Sequence, residues 1–397
     1  LALVTLCTFA VWSLAGRSAA AQAATPVSCS LYASPSGSDS SGDGSQANPF
    51  QTAQHLVSAL TPGHTGCLTS GTYTDSPGLS FEHGGSAGSP ITLASAPGQT
   101  ATLAGGYVYI PTGSNYVTLE NLNIDGSATT QVSVQIFGSE VSMIGNDITN
   151  HAQHNSCIIM GYPGDTPYPA NTLVENNVIH QCGNRTDGNQ DHAIYFSQSI
   201  DATVTNNVIW GTAAFALHLY PDAQGNQVTH NVIDANGYGA IFAGAADSTS
   251  NDNTVAYNVI TNSTVGMGVQ QSWGSTVGKG NTFAHNCLSN NAGGNIEAPD
   301  GYSASDNVTA APDYVNAVAH SYGLPRSSRC LAVVGYAGGS TVTAVAAGSR
   351  SHGAAGKSHA KHRGLAKARR TARRHGRGAR RQSTQFGVRF HVLSATL

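Results

Sequence analysis

The chain is poor in charge: only 10% of its 397 residues are Asp, Glu, Lys or Arg. Between residues 24 and 349 four basic side chains stand against 21 acidic ones, a net charge of −17, and Lys279 is the only lysine of that span. So little charge beside 46 glycines fits short strands joined by tight turns and not a body of helices. No CxxC pair occurs, which argues against a structural zinc site. Neither a Rossmann nor a P-loop phrase is present. Long apolar runs are also missing. The longest, at the start, has roughly 15 apolar residues, short of the ~20 that span a bilayer.

What the chain does have is a phrase that recurs: an apolar residue, two variable residues, Asn, one variable residue, then Ile or Leu. It reads MIGNDI from Met143, VENNVI from Val174, VTNNVI from Val204, VTHNVI from Val228, VAYNVI from Val255 and FAHNCL from Phe283, with a weaker LENLNI from Leu119. The Asn positions 146, 177, 207, 231, 258 and 286 lie 31, 30, 24, 27 and 28 residues apart, too close for domains and right for coils of a solenoid. Alternation of apolar and polar residues, rich in Val and Ile, marks short strands with one buried face. A second set, AIYF at Ala193, ALHL at Ala216, AIFA at Ala240 and GMGV at Gly266, recurs after 23, 24 and 26 residues. Each coil therefore holds at least two strands, stacked about 4.8 Å from the next coil. The repeated Asn is expected to form a ladder, its amide donating to one coil and accepting from another.

The two ends differ from this body. Residues 1–23 run LALVTLCTFAVWSLAG and then into small residues, which reads as an export signal with an Ala-Xaa-Ala cleavage site, its initiating Met and basic start missing and Cys7 removed with it. Residues 336–397 read as a Gly/Ala linker and a basic tail with 13 Lys or Arg and no acidic residue, expected to be disordered. Such a tail is either solubilising or an adhesive for anionic envelope polymers, nucleic acid or the acidic body. Between the ends, residues 24–110 are assigned to an N-terminal cap and first coils, and 111–335 to the repeats.

Export leaves six cysteines in an oxidising compartment, with 15 formal pairings. Proximity narrows them to Cys29 with Cys67 in the N-terminal segment, Cys157 with Cys182 one coil apart, and Cys287 with Cys330 at the C-terminal end. Near the start, Asn48 is expected to cap a short helix with Pro49 first, its apolar face being Phe50, Ala53, Leu56, Val57 and Leu60. That helix would close the open end of the first coil.

In this region the chain resembles the secreted right-handed parallel β-helix proteins of the pectate-lyase-like class. YASPSGSDSSGDGSQANPFQTAQHLVSAL is similar to the opening of that family, and LTSGTY and GSAGSPITLASAPG to the stretches that follow. The resemblance extends through the repeats to about residue 335. It implies an all-β, single-stranded right-handed parallel β-helix with a short N-terminal capping helix. It says less about reaction, since this scaffold carries lyases, hydrolases, epimerases and inactive adhesins.

The resemblance also implies an outer groove flanked by long turns. Two such turns are GYPGDTPYPANT after Met160 and QCGNRTDGNQ before Asp191. With Ile194 and Phe196 inward, Tyr195 points out. In the next coil His218 takes the same place, followed in phase by Tyr220 and Asp222. Abstracting the proton beside a sugar carboxylate needs a base, an acid and a cation, and His218, Tyr195 and Arg185 suit those roles in that order. Asp191, Tyr220 and Asp222 are the expected substrate contacts. The plain alternative is that outward Tyr and His pack beneath the turns. The calcium-dependent lyases of the class use a groove Lys or Arg and clustered acids. This chain lacks both, although Asp187, Asp191 and Asp222 offer oxygens for Ca2+. His151 and His154 read as solvated turn residues rather than ligands. The acidic-pair phrases of polygalacturonase-type hydrolases are absent.

The leading expectation is a secreted, monomeric, polysaccharide-active protein, a lyase or C5-epimerase on an acidic, uronate-containing glycan. The runner-up is a non-catalytic cell-surface or carbohydrate-binding β-helix.

Overall fold

The computed structural model describes residues 27–185, 190–271 and 276–334. The expected export signal and basic tail lie outside the described residues. The chain winds through three parallel sheets: sheet A with eleven strands from Leu31–Ala33 to Tyr302–Ser305, sheet B with ten from Gly71–Tyr73 to Val308–Thr309, and sheet C with eight from Gly78–Ser80 to Val269–Gln271. One coil illustrates the rest. Ser142–Ile144 joins sheet A, Asp147–Thr149 sheet B and Ile158–Met160 sheet C. The only antiparallel pair among the named strands is the small hairpin of Gly244–Ala245 with Ser248–Thr249.

The recurring phrase supplies two stacked core columns. Its first residue builds the sheet A column, Leu119, Met143, Val174, Val204, Val228, Val255 and Phe283, all fully buried. Its last residue builds the sheet B column, Ile124, Ile148, Ile179, Ile209, Ile233, Ile260 and Leu288.

Between the two strands the chain turns a corner, and there the Asn ladder forms as expected. Nδ2 of Asn177 donates to Asn207 Oδ1 at 3.0 Å in the following coil and to Met143 O at 2.9 Å in the preceding one. Its Oδ1 accepts from the backbone and side-chain N–H groups of Asn146. The pattern repeats through Asn231, Asn258 and Asn286 and ends on Asn307. The residue before each ladder Asn is left-handed: Gly145, Asn176, Asn206, His230, Tyr257, His285 and Asp306 have φ between 54° and 67°. A second ladder, Asn226 to Asn253 to Asn281, holds the corner that leads into sheet A.

The capping helix is shorter than expected and starts later, at Ala53–Ala59. Its N-cap is Thr52, whose hydroxyl accepts from His55 N at 3.1 Å, and not Asn48, whose amide donates to Ser41 O. The cause is pairing: Phe50 bridges to Ala33, and Asp39 takes the N–H groups of Gln51 and Thr52, so residues 49–51 stay extended. The apolar face is nonetheless buried as expected. The helix rests on Gly66, where an added Cβ would lie 3.0 Å from Leu56.

Disulfides join Cys29 to Cys67, Cys157 to Cys182 and Cys287 to Cys330. The register of sheet C needs one correction. Ala193 and Ala216 share a position, but Leu217 pairs with Ala240 and Ala240 with Val269, so AIFA and GMGV sit out of phase with the earlier segments. Phe215–Leu219 is buried at every residue, so no alternation marks its inward face. Among the described residues no helix is long and apolar enough to cross a membrane.

The ladder predicts a sharp contrast in stability. Asn207→Ala strands the buried N–H groups of Asn177 and the carbonyl of Val174, and should cost about 2–4 kcal/mol in chemical denaturation. Asn206→Gly, at the adjacent left-handed position, should change stability by less than about 1 kcal/mol. Equal effects would mean that the ladder is not what holds the corner.

Candidate functional site

The outward column of sheet C runs Tyr109, Gln135, Ile159, Tyr195, His218, Ile241, Gln270. Tyr195 and His218 do occupy one position in adjacent coils, with ring centroids 4.7 Å apart. Around them the structure gathers a ring cluster. His192 lies 4.0 Å from His218, Tyr220 stacks on it at 5.6 Å, and Phe215 lies 5.4 Å away and stacks in turn on Tyr238.

Although this face points away from the core, its centre is not open. His218 is 1% exposed and Ile159 and Ile241 are buried, while Tyr195 is half-buried. One cover is the long turn after Met160: the Tyr168 hydroxyl accepts from Gln198 Nε2 at 3.0 Å and donates to Asp222 Oδ2 at 3.3 Å, pinning the turn across later coils. Burial, with His192 adding to it, pushes His218 well below the usual histidine range, so the ring is neutral at neutral pH. Burial likewise raises the Tyr195 phenol, helped by Tyr220, and keeps it protonated. On the same turn, burial lifts the Asp165 carboxyl.

The other expected residues are placed differently. Asp191 is fully buried, its Oδ1 accepting from Asn155 N at 2.9 Å and lying 2.6 Å from His154 Nδ1, and its Oδ2 accepting from Asn184 N at 2.8 Å and Arg185 N at 2.6 Å. Burial alone would raise its pKa, but the three backbone N–H groups and His154 outweigh burial and lower it. Its oxygens are thus committed to the protein and not offered to a groove, unlike the expected substrate contact. Arg185 sits with it in the loop, Nε 3.8 Å from Oδ2, its side chain 43% exposed. Asp222 accepts from Tyr168 and from Gln224 Nε2. His154, expected in solvent, is instead the partner of Asp191, and His151 lies 3.3 Å from Asp125. Of the three residues expected to offer oxygens for Ca2+, Asp187 lies outside the described residues and Asp191 has both oxygens engaged by the protein; among the described residues no three His, Cys, Asp or Glu stand together as metal ligands.

Two features were not anticipated. His192 stood outside the segment used to set the strand. On the outer face of sheet B, Trp210 is sandwiched between His180 at 4.5 Å and His320 at 3.7 Å. His180 bonds Asp147, while His320 bonds Tyr322, whose hydroxyl donates to Asp234. Residues 314–322 thereby lie across a stripe that includes Val208 and Val232.

The family model described as a right handed beta helix region matches residues 107–288. The fold is a right-handed parallel β-helix. Among solved structures with this β-helix, the complex of XylC with xylose aligns with a TM-score of 0.51 at 14% identity, covering 70% of each chain. Pectate lyase Pel9A aligns at 0.46 and 14%, over 75% of this chain and 90% of that one. An alginate lyase from Paenibacillus sp. str. FPU-7 aligns at 0.44 and 16%, over 64% and 94%. At such identities the likeness is one of fold. No curated protein matches in sequence.

The buried imidazole of the β-helix makes a pH prediction. A histidine whose folded pKa is depressed leaves stability unchanged above the unfolded value of about 6.5 and reduces it as pH falls below, because only the unfolded chain takes up the proton. His230 and His320, lowered by burial, act in the same direction. Replacing His218 by Phe should therefore flatten the acid limb of the stability curve, by about 0.7 kcal/mol per pH unit at pH 6.5 and approaching about 1.4 kcal/mol per pH unit from one unit lower, read by denaturant titrations at several pH values. An unchanged slope would show that the ring is protonated in the fold.

Proposed function

We propose that the protein is a polysaccharide-active enzyme that abstracts the proton beside a sugar carboxylate, as an eliminating lyase or C5-epimerase on a uronate-containing glycan. The observation that carries this reading is the adjacent pair of Tyr195 and His218, at one position of neighbouring coils on sheet C. A neutral imidazole is the form that accepts a proton, and a protonated phenol the form that gives one. In elimination, His218 takes the C5 proton, the bond from C4 to the glycosidic oxygen breaks as the double bond forms, and Tyr195 protonates the departing oxygen. In epimerisation, C5 is reprotonated from the opposite face and no bond to oxygen breaks. Arg185 is the cation for the carboxylate, with Tyr220 and Asp222 beside the pair. For substrate to reach His218 the rings packed around it, His192, Phe215 and Tyr220, have to give way. A fold neighbour in complex with xylose also agrees with a sugar ligand. Three disulfides suit an extracellular protein. Within this proposal the chain acts as a monomer and its basic tail adheres to anionic polymer.

One observation favours the runner-up. His218 is closed off from solvent, as it would be in a non-catalytic surface or carbohydrate-binding β-helix. Incubation with pectate, alginate, glycosaminoglycans and neutral glycans, with and without calcium, separates the two. Ultraviolet absorbance reports unsaturated uronate, and proton exchange at C5 reports epimerisation. His218→Ala and Tyr195→Phe should each lower turnover by about 10²-fold or more with the fold intact. Full activity in both variants would move the chemistry elsewhere, and no product on any glycan would leave the binding protein.

A further inference from the structure

Arg185 is the only Lys or Arg from residue 18 to residue 278, in a body with a net charge of −17. The chain nonetheless builds a bracket around it. Asp191 uses one oxygen for the turn at residues 154–155 and the other for the loop at residues 184–185. The Cys157–Cys182 disulfide joins the same two segments, and Asn150 Oδ1 accepts the N–H of Gly183 at 3.0 Å. Gly183, at φ 76°, lets the loop approach so closely that an added Cβ would lie 2.1 Å from that of Asp191.

Only the carboxylate is hidden. Asp191 has a side-chain exposure of 0%, while His154 and Arg185, on either side of it, are 41% and 43% exposed. His154 meets Asp191 through Nδ1, which leaves Nε2 on the far side of the ring, and Arg185 meets it through Nε, with Nη2 on Gln190 Oε1 at 3.3 Å. A guanidinium carries five N–H donors, so Arg185 keeps donors for a second carboxylate, and an imidazolium at His154 would add one more through Nε2. His192, the next residue after Asp191, packs on His218 at 4.0 Å, so the bracket stands at the head of the strand that bears Tyr195.

We infer that His154 and Arg185 together form a binding site for the carboxylate of an acidic sugar, with Asp191 as the positioning residue that holds both. The assignment rests on the proton-abstraction reading above and adds His154 and Asp191 to it. The Arg185 guanidinium gives a local charge that the acidic body otherwise lacks, and the backbone hydrogen bonds at residues 183–185 limit the entropy lost on binding.

The test is calorimetric binding of the full chain to tetramers of galacturonate and of mannuronate, and to the same tetramers with each carboxyl reduced to the alcohol. Wild type should bind at least one acidic tetramer about tenfold or more tighter than its reduced form. Arg185→Ala and His154→Ala should each remove most of that difference and leave the reduced form unaffected. Arg185→Lys should restore part of it, because an ammonium cannot pair bidentately. Asp191→Asn should weaken acidic binding in wild type and much less when Arg185 and His154 are already Ala, a coupling that plain loop damage would not produce. Melting temperatures identify any variant that fails to fold, in which case His154→Gln replaces His154→Ala. Equal affinity of wild type for acidic and reduced tetramers, or unchanged preference in both Ala variants, overturns the assignment. Carboxylate-dependent binding with no product in the glycan screen keeps this site and removes the lyase reading, whereas turnover without carboxylate dependence does the reverse.

Discussion

Everything in this molecule depends on the corner between sheets A and B. A left-handed residue and a buried Asn reverse the chain, and the Asn amide satisfies backbone groups of the coils on both sides. Because its Oδ1 accepts the N–H of the preceding ladder Asn, each coil fixes the phase of its neighbour. A slip of one residue would turn every core side chain outward, so the ladder and the two apolar columns enforce the same register. The left-handed position favours Gly and Asn, yet His230, Tyr257 and His285 occupy it. Their rings stack at 5.5 and 4.9 Å, a contact that accompanies the backbone cost.

Given a rigid spine at that corner, variation is pushed to the opposite side. Coils can lengthen on either side of sheet C without disturbing that ladder: the turn after Met160 does so between sheets C and A, and the loop after Cys182 between sheets B and C. At the middle of sheet C the outward residues are Ile159, Tyr195, His218 and Ile241, whereas sheet A carries Thr203, Gln227 and Thr254 on its outside. Covering a face changes its chemistry. A histidine in that layer loses its proton and a tyrosine holds its own, chiefly by desolvation, with His192 adding to the first shift and Tyr220 to the second.

Much of this was legible in the chain because the recurring phrase is the corner itself: Met143, Asn146 and Ile148 are one core residue, one ladder residue and one core residue of the next sheet. The disulfide partners followed from coil spacing. The helix start did not, because Asn48-Pro49 looks like a cap while the pairing of Phe50 with Ala33 is made at long range. Sheet C lost its register for a related reason, since uniform burial erases the period that locates a face. At the site, the shared position of Tyr195 and His218 was readable from matching segments, and packing of these rings was the alternative weighed there, but the near-complete burial of His218 was not readable, as it depends on how the rings of His192, Phe215 and Tyr220 close around it. Asp191 was misjudged because a carboxylate at the end of a polar loop looks solvent-facing, and only the fold shows the backbone N–H groups converging on it. The sandwich of Trp210 between His180 and His320 was beyond reach, its members being distant in sequence.

The acidity of the body seems at first to oppose an acidic ligand, but distance decides the sign of the balance. At physiological ionic strength charges farther than about 8 Å are largely screened, so most carboxylates of the solenoid act weakly on a sugar at sheet C. Contact charges are not screened in this way. A single guanidinium meeting a carboxylate bidentately, in a loop already fixed by Asp191 and a disulfide, outweighs a diffuse negative field. The same field slows approach of a polyanion at low salt and fades as salt rises. On the proposed reading, an acidic solenoid with one well-anchored cation would select by local fit at the bracket and not by long-range attraction, which would make the geometry of Arg185 matter more than the overall charge of the chain.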